Sequence, residues 1–234
     1  MKFLIERFTF MIFSAAVLAL AVSCASTSDS TGFASTRAVL RGMVYNTDRL
    51  PVVDVNVSVL DKGRVIQTAV SDIHGRYALP EVSYGAVTLQ FTKDGYEPLT
   101  WSFGYKVPSQ IVYVQMSNLD ELIEKAADEI QKQEWTATNS FLVRIRKLDP
   151  QNRVAAFLEA EMLIRQGHFE EASAELEKLS SGDQPSLATE LALADLYQAK
   201  LNRPELALVH LRKALTLRED ADVRARMAAL ETTP

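Results

Sequence analysis

Few side chains in this 234-residue chain have types and spacing that could do chemistry. No two of the three histidines, His74, His168 and His210, stand at a metal-ligand spacing in the sequence. His74 falls at a turn, His168 beside Gly167 between two helical segments, and His210 within a helical segment, all positions that suit structural or solvent-facing roles. Carboxylates such as Asp72 and Glu161 have no partner identifiable from spacing. A nucleophile elbow and a phosphate-cradling loop are both missing from the sequence. This inventory points away from an enzyme and from any cofactor or metal. One nucleophile remains, Cys24, the sole cysteine, so the folded part has to hold together without an internal disulfide.

The surroundings of Cys24 give its thiol a role. Lys2 and Arg7 form a positive start, and Phe8 to Ala21 is apolar except for Thr9 and Ser14. That is the layout of a secretory signal, too short for a comfortable bilayer span. Ala21-Val22-Ser23-Cys24 follows directly and resembles a bacterial lipoprotein signal, although Ala21 stands where the family more often has a larger aliphatic residue. The resemblance implies that residues 1–23 are removed and that Cys24 becomes the lipidated first residue of a protein that sits on a membrane without crossing it. Several acyl chains anchor firmly, because each buried CH₂ contributes about 0.8 kcal/mol. Ala25, rather than Asp, follows the cysteine, which in enterobacterial lipoproteins goes with sorting to the outer membrane. Ser26 to Ser35, rich in Ser and Thr, reads as a flexible tether within residues 24–36.

Charge narrows the partner class. The formal net charge is −5, and no Lys/Arg run supplies the positive field that a phosphate backbone requires, so nucleic acid is not an expected partner. The negative excess lies wholly from Ser117 onward, with 15 Lys/Arg against 21 Asp/Glu, whereas Ala25 to Met116 carries 8 of each. A solvated outer helix face accounts for it.

Over residues 37–116 the apolar period is two. Val39, Arg41, Met43 and Tyr45 alternate with Leu40, Gly42, Val44 and Asn46, and similar runs cover Val55 to Leu60 and Arg64 to Val70. Asp61-Lys62-Gly63, His74-Gly75 and Tyr84-Gly85 mark turns. About seven short strands at this spacing predict a small antiparallel β-sandwich. Gly42-x-Val44, Leu50-Pro51-Val52, Val55-x-Val57, Ser71-Asp72-x-x-Gly75-x-Tyr77-x-Leu79-Pro80, Gly85 to Leu89 and Lys93-Asp94-Gly95-Tyr96 together resemble the carboxypeptidase regulatory-like domain, a prealbumin-like sandwich. Asp54, where that family commonly has Gly, implies a different local turn. The resemblance implies no peptidase chemistry. Trp101, Phe103 and Tyr105 are two apart and share one face of a strand, which serves either as core or as an exposed platform for stacking sugars; core is favoured.

From Asn118 the period becomes helical, opened by a capping box with Glu121. Ala126, Ala160 and Ala194 recur at a 34-residue step, each in a first helix followed by a second, so that neighbouring copies have to stack to bury their apolar faces. These positions, with Gly167-His168-Phe169, Ala172, Ala207 and Ala214, resemble tetratricopeptide repeats, with Gln133 and Thr138 replacing the usual Gly and Ala in the first unit. The expected fold of residues 117–234 is therefore an α-helical solenoid of about three repeats. Asp222 to Glu231 reads as a capping helix with its charges in solvent.

In the resembling family the concave groove is lined by first-helix residues. Carried over position by position, these are Ile123, Ile130 and Gln131, then Phe157, Glu161, Ile164 and Arg165, then Leu191, Asp195 and Gln198. The resemblance implies a partner-binding groove centred on Phe157, Glu161, Ile164, Arg165, Asp195 and Gln198, without the basic clamp that chaperone-binding members use for a terminal carboxylate. The expected function is a non-catalytic, membrane-anchored scaffold of the bacterial cell envelope that binds an unidentified protein or peptide segment. The alternative is a surface-displayed glycan or matrix binder that uses the sandwich.

Overall fold

The computed structural model describes residues 36–232. The signal, Cys24 and the tether lie outside the described residues. The alternating runs form seven strands: β1 Arg37–Tyr45, β2 Asn56–Asp61, β3 Arg64–Val70, β4 Arg76–Ser83, β5 Gly85–Thr92, β6 Leu99–Tyr105 and β7 Ile111–Gln115. Two sheets, ordered β4-β1-β7 and β3-β2-β5-β6, face each other across a core that includes Leu40, Val44, Val57, Leu79, Leu89, Phe91, Val112 and Val114. The period-two pattern is clearest in β4, β5 and β7, where alternate residues such as Tyr77 and Leu79, Val87, Leu89 and Phe91, and Val112 and Val114 reach that core.

Three local features set the sandwich's geometry. Lys62 and Gly63 both take positive φ, 49° and 79°, and close a two-residue hairpin between β2 and β3. Asp54 takes φ 56°, the left-handed conformation that glycine adopts most easily, so the expected departure from a glycine-like turn does not occur. The sandwich is also not purely antiparallel. Strand β7 crosses from the other sheet through residues 106–110 and pairs parallel to β1, Arg41 beside Ile111 and Tyr45 beside Gln115. The chain thus enters the sandwich at the start of β1 and leaves beside its end. At about 3.3 Å per residue these points are roughly 26 Å apart.

Seven helices follow: α1 Leu119–Lys132, α2 Trp135–Leu148, α3 Arg153–Gln166, α4 Phe169–Ser180, α5 Leu187–Ala199, α6 Pro204–Leu217 and α7 Ala221–Glu231. The first six pair as α1 with α2, α3 with α4 and α5 with α6, and α7 packs on α6. Ala126, Ala160 and Ala194 are fully buried, since only a small side chain lets the paired helix approach. The first unit tolerates its substitutions for specific reasons. Gln133 takes the left-handed C-cap at φ 62°, and buried Thr138 satisfies its hydroxyl by donating to the Glu134 carbonyl at 3.1 Å. Asn118 and Glu121 make the capping box, and Pro204 opens α6, where its missing N–H costs little.

Sandwich and helices form one compact unit. Leu119 donates its backbone N–H to the Gly95 carbonyl at 3.0 Å, and Glu97 donates to that of Ser117 at 2.9 Å. Arg144 of α2 reaches back with two guanidinium nitrogens to the Glu97 carboxylate, Nε to Oε1 at 2.8 Å and Nη2 to Oε2, and lies 5.1 Å from the Phe141 ring. A bidentate, half-buried pair of this kind fixes direction as well as distance. The Lys93–Pro98 loop therefore holds the first hairpin in place.

Candidate functional site

Four of the groove residues on α3 and α5 line two hollows, Phe157 the first and Glu161, Ile164 and Asp195 the second. One, of about 510 Å³, is lined by Val154 and Phe157 of α3, Pro185 and Ser186 of the loop before α5, and Ala188 of α5. Its walls are mostly carbon, and Arg153 closes one side by donating from Nη2 to the Leu179 and Gln184 carbonyls, at 2.9 and 2.6 Å. The second, of about 220 Å³, is lined by Glu161 and Ile164 of α3 and by Ala192, Asp195, Leu196 and Ala199 of α5, with Lys200 at its edge. Helical spacing produces both, because 157 and 164, like 188, 192, 195 and 199, recur on one face of their helices.

The charged members are engaged within the chain. Arg165 donates through Nε to Glu161 Oε1 at 2.7 Å and through Nη2 to Gln131 Oε1 at 3.4 Å. Asp195 and Gln198 both accept from Arg226 of α7, at 2.5 and 2.7 Å. The expectation that the charges of the last helix face solvent fails at this residue, because α7 lies alongside α5 and brings Arg226 within reach of its face. Arg165 and Gln198 line neither hollow. Of the other groove positions, Ile130 is buried inside the stack, while Ile123 and Leu191 pack on core clusters.

The aromatic strand divides along its length. Tyr105 is 1% exposed and donates its hydroxyl to the Val39 carbonyl at 3.2 Å, whereas Trp101 is 41% exposed beside Phe103, ring centroids 5.2 Å apart. The favoured core reading therefore holds for Tyr105 and not for Trp101. Strand β6 is the outer strand of its sheet, and only three strands lie opposite its four.

Isolated side chains also find their partners. Asp72 accepts from the backbone N–H groups of His74 and Arg76, at 2.9 and 2.8 Å, and from Arg76 Nε at 3.0 Å. The Arg76 backbone N–H is the main cause that holds its carboxyl below the ordinary carboxylate range. Its role is to shape a turn. His168 is exposed beside Glu171, and His74 is exposed in its turn. His210 is different. It is buried between Glu190 of α5, Nδ1 to Oε2 at 2.7 Å, and Glu177 of α4, Nε2 to Oε1 at 3.0 Å, and it stacks on Tyr197. Burial first, then the hydrogen bond to Glu177, pushes the Tyr197 hydroxyl up from its ordinary pKa. Among the described residues no group of three His, Cys, Asp or Glu side chains is arranged to hold a metal.

Residues 39–109 match the family model of the carboxypeptidase regulatory-like domain. The match spans β1 to β6 and leaves β7 and all the helices outside it. The helical part is similar to the tetratricopeptide domain of OM64 from Arabidopsis, at 18% identity over 48% of this chain and 93% of that one, TM-score 0.42. It is also similar to the N-terminal domain of stress-induced protein-1 from C. elegans, at 14% identity over 49% of this chain and 94% of that one, TM-score 0.43. A further likeness is to the major pilin subunit of Bacillus cereus, at 18% identity over 35% of this chain and 28% of that one, TM-score 0.30. The search of curated proteins returned no match.

Proposed function

We propose that this protein is a non-catalytic scaffold of the bacterial cell envelope, anchored through lipidated Cys24 to the outer membrane and facing the periplasm. In this reading the sandwich spaces the helical repeats from the lipid surface, and the α3–α5 face binds a segment of a protein partner. The observation that carries it is the pair of hollows in line. Phe157 and Ile164 are seven residues apart on α3, roughly 10 Å along its axis. Three residues of an extended segment, or two turns of a helix, cover that distance, so a partner can seat one apolar side chain in each hollow. The rim carboxylates Glu161 and Asp195 already have partners in the chain and keep contact with water, which makes them weak contributors; Ala192, Ala199, Val154 and Phe157 supply the contact surface. The roughly 26 Å between the two ends of β1 supports the spacer role. No described helix is long and apolar enough to cross a membrane.

Photocrosslinking in intact cells tests the groove. A photoreactive residue at Ala192 should give one discrete adduct that disappears when Ala199→Trp fills the smaller hollow, and one at Glu205 on α6 should give none. Equal adducts from both positions, or none from either, overturn the reading. The glycan-binding alternative has one observation in its favour, the exposed ring of Trp101. Crosslinks from position 101 with none from position 192 would favour it over the groove. The anchor has a separate test: Cys24→Ala should abolish incorporation of labelled fatty acid, and persistent labelling defeats it.

A further inference from the structure

Beneath the face that carries Ala192 and Asp195, helices α4, α5 and α6 meet around a buried polar array. The Glu190 side chain is 0% exposed and that of His210 3% exposed. His210 Nδ1 lies 2.7 Å from Glu190 Oε2, and Nε2 lies 3.0 Å from Glu177 Oε1. The same Glu177 oxygen accepts from the Tyr197 hydroxyl at 3.0 Å. Glu190 Oε1 has no hydrogen-bond partner in the protein.

An imidazole with one proton satisfies only one of these neighbours, because its bare nitrogen would face a carboxylate oxygen with lone pair against lone pair. With both nitrogens protonated, every donor in the array has an acceptor, and buried Glu190 has a counter-charge in contact. Other charged groups do not take that place. On α4 the facing group is Glu177 itself; on α5 they are Glu190 and Tyr197. On α6, Lys213, one turn beyond His210, is turned to Ser180 Oγ at 3.0 Å, and Arg203, just before α6, is bound to Glu170. A buried carboxylate stripped of its partner is costly.

We propose that Glu177, His210 and Glu190 form a proton-dependent latch that holds the third helical hairpin to the second, closed while His210 is an imidazolium and released when it gives up a proton. The sign follows from proton counting. The folded array holds a proton that an exposed imidazole surrenders as pH rises, so the folded state binds more protons than the unfolded one and loses stability toward alkaline pH. Where only the folded state keeps that proton, the folded-to-unfolded ratio falls about tenfold per pH unit. Release would be felt first in α5 and α6, which are joined to α4 through this array. The latch rests on its own geometry and does not depend on the groove reading.

The test is unfolding of the full chain in urea between about pH 6 and pH 9, followed by helical circular dichroism, for the unmutated protein and for Glu190→Gln. The unmutated protein should lose stability as pH rises. The Glu190→Gln protein, with no buried charge to neutralise, should lose far less. Equal slopes overturn the latch. If Glu190→Gln does not fold, nitrogen NMR of the unmutated protein decides: two protonated ring nitrogens on His210 at neutral pH support the latch, and a neutral ring overturns it.

Discussion

His210→Ala should cost the helical repeats about 3–5 kcal/mol, the range for breaking a buried ion pair by removing one partner. The change deletes more than a contact. It leaves Glu190 inside the protein with one oxygen that has no protein partner and another that has lost its donor. It also removes the ring stacked on Tyr197, centroids 5.6 Å apart and planes 20° from parallel. A domain's whole stability is about 5–15 kcal/mol, so the variant should be marginal at physiological temperature. The pairing argument separates from simple cavity formation in a second variant. Glu190→Met combined with His210→Leu fills the same space without charge and should retain most of the stability, as apolar replacements of buried pairs commonly do. Glu177→Gln should be mild, since Glu177 is 41% exposed and water can replace its partner. Urea titrations of the three variants decide the matter. A loss below about 1 kcal/mol for His210→Ala would mean that Glu190 does not depend on the imidazole.

Features governed by near neighbours in sequence could be read from the sequence. The buried alanines at positions 126, 160 and 194, the Asn118–Glu121 capping box and the Lys62–Gly63 hairpin all follow from local spacing, and each has the same physical cause in the folded chain. Features set by distant approach could not. Glu190 and Glu177 lie 20 and 33 residues from His210, on two other helices, so nothing near His210 marks it as part of an array. Arg144 and Glu97 are 47 residues apart, and neither motif points to the other. Arg226 was legible as charged but not as a partner of Asp195, because that contact depends on how the last helix lies against α5. Trp101 shows the limit of periodicity: alternation assigns the face of a strand correctly, but whether a facing strand covers that face depends on the widths of the two sheets. The hollows belong to the same class. Phe157 and Ile164 could be located on α3, but the loop residue Pro185 that walls in Phe157 could not.

Gly42→Ala should destabilise the sandwich by about 3 kcal/mol or more, at the upper end of over-packing penalties. Gly42 lies in the interior of β1, where the absence of a side chain serves close approach. A β-carbon there would lie 2.3 Å from the Val112 carbonyl oxygen and from the Tyr77 hydroxyl oxygen, and 2.4 Å from the ring carbon that bears it. Neither neighbour can yield cheaply. Tyr77 is 4% exposed and meets Phe91 edge to face, with ring centroids 5.8 Å apart. Burial pushes its hydroxyl well above the ordinary tyrosine pKa. The Val112 oxygen belongs to the backbone of β7, which pairs with β1 at Gly42 itself. Moving that oxygen means prising apart the one parallel pair among the described strands. Trimming Tyr77 to leucine should therefore fail to rescue Gly42→Ala, because it removes one obstruction and leaves the other. Trp101 fluorescence in a Trp135→Phe background reports the sandwich alone during urea unfolding. A loss under about 1 kcal/mol, or rescue by Tyr77→Leu, would show that β7 shifts freely and that the glycine is not required for its approach.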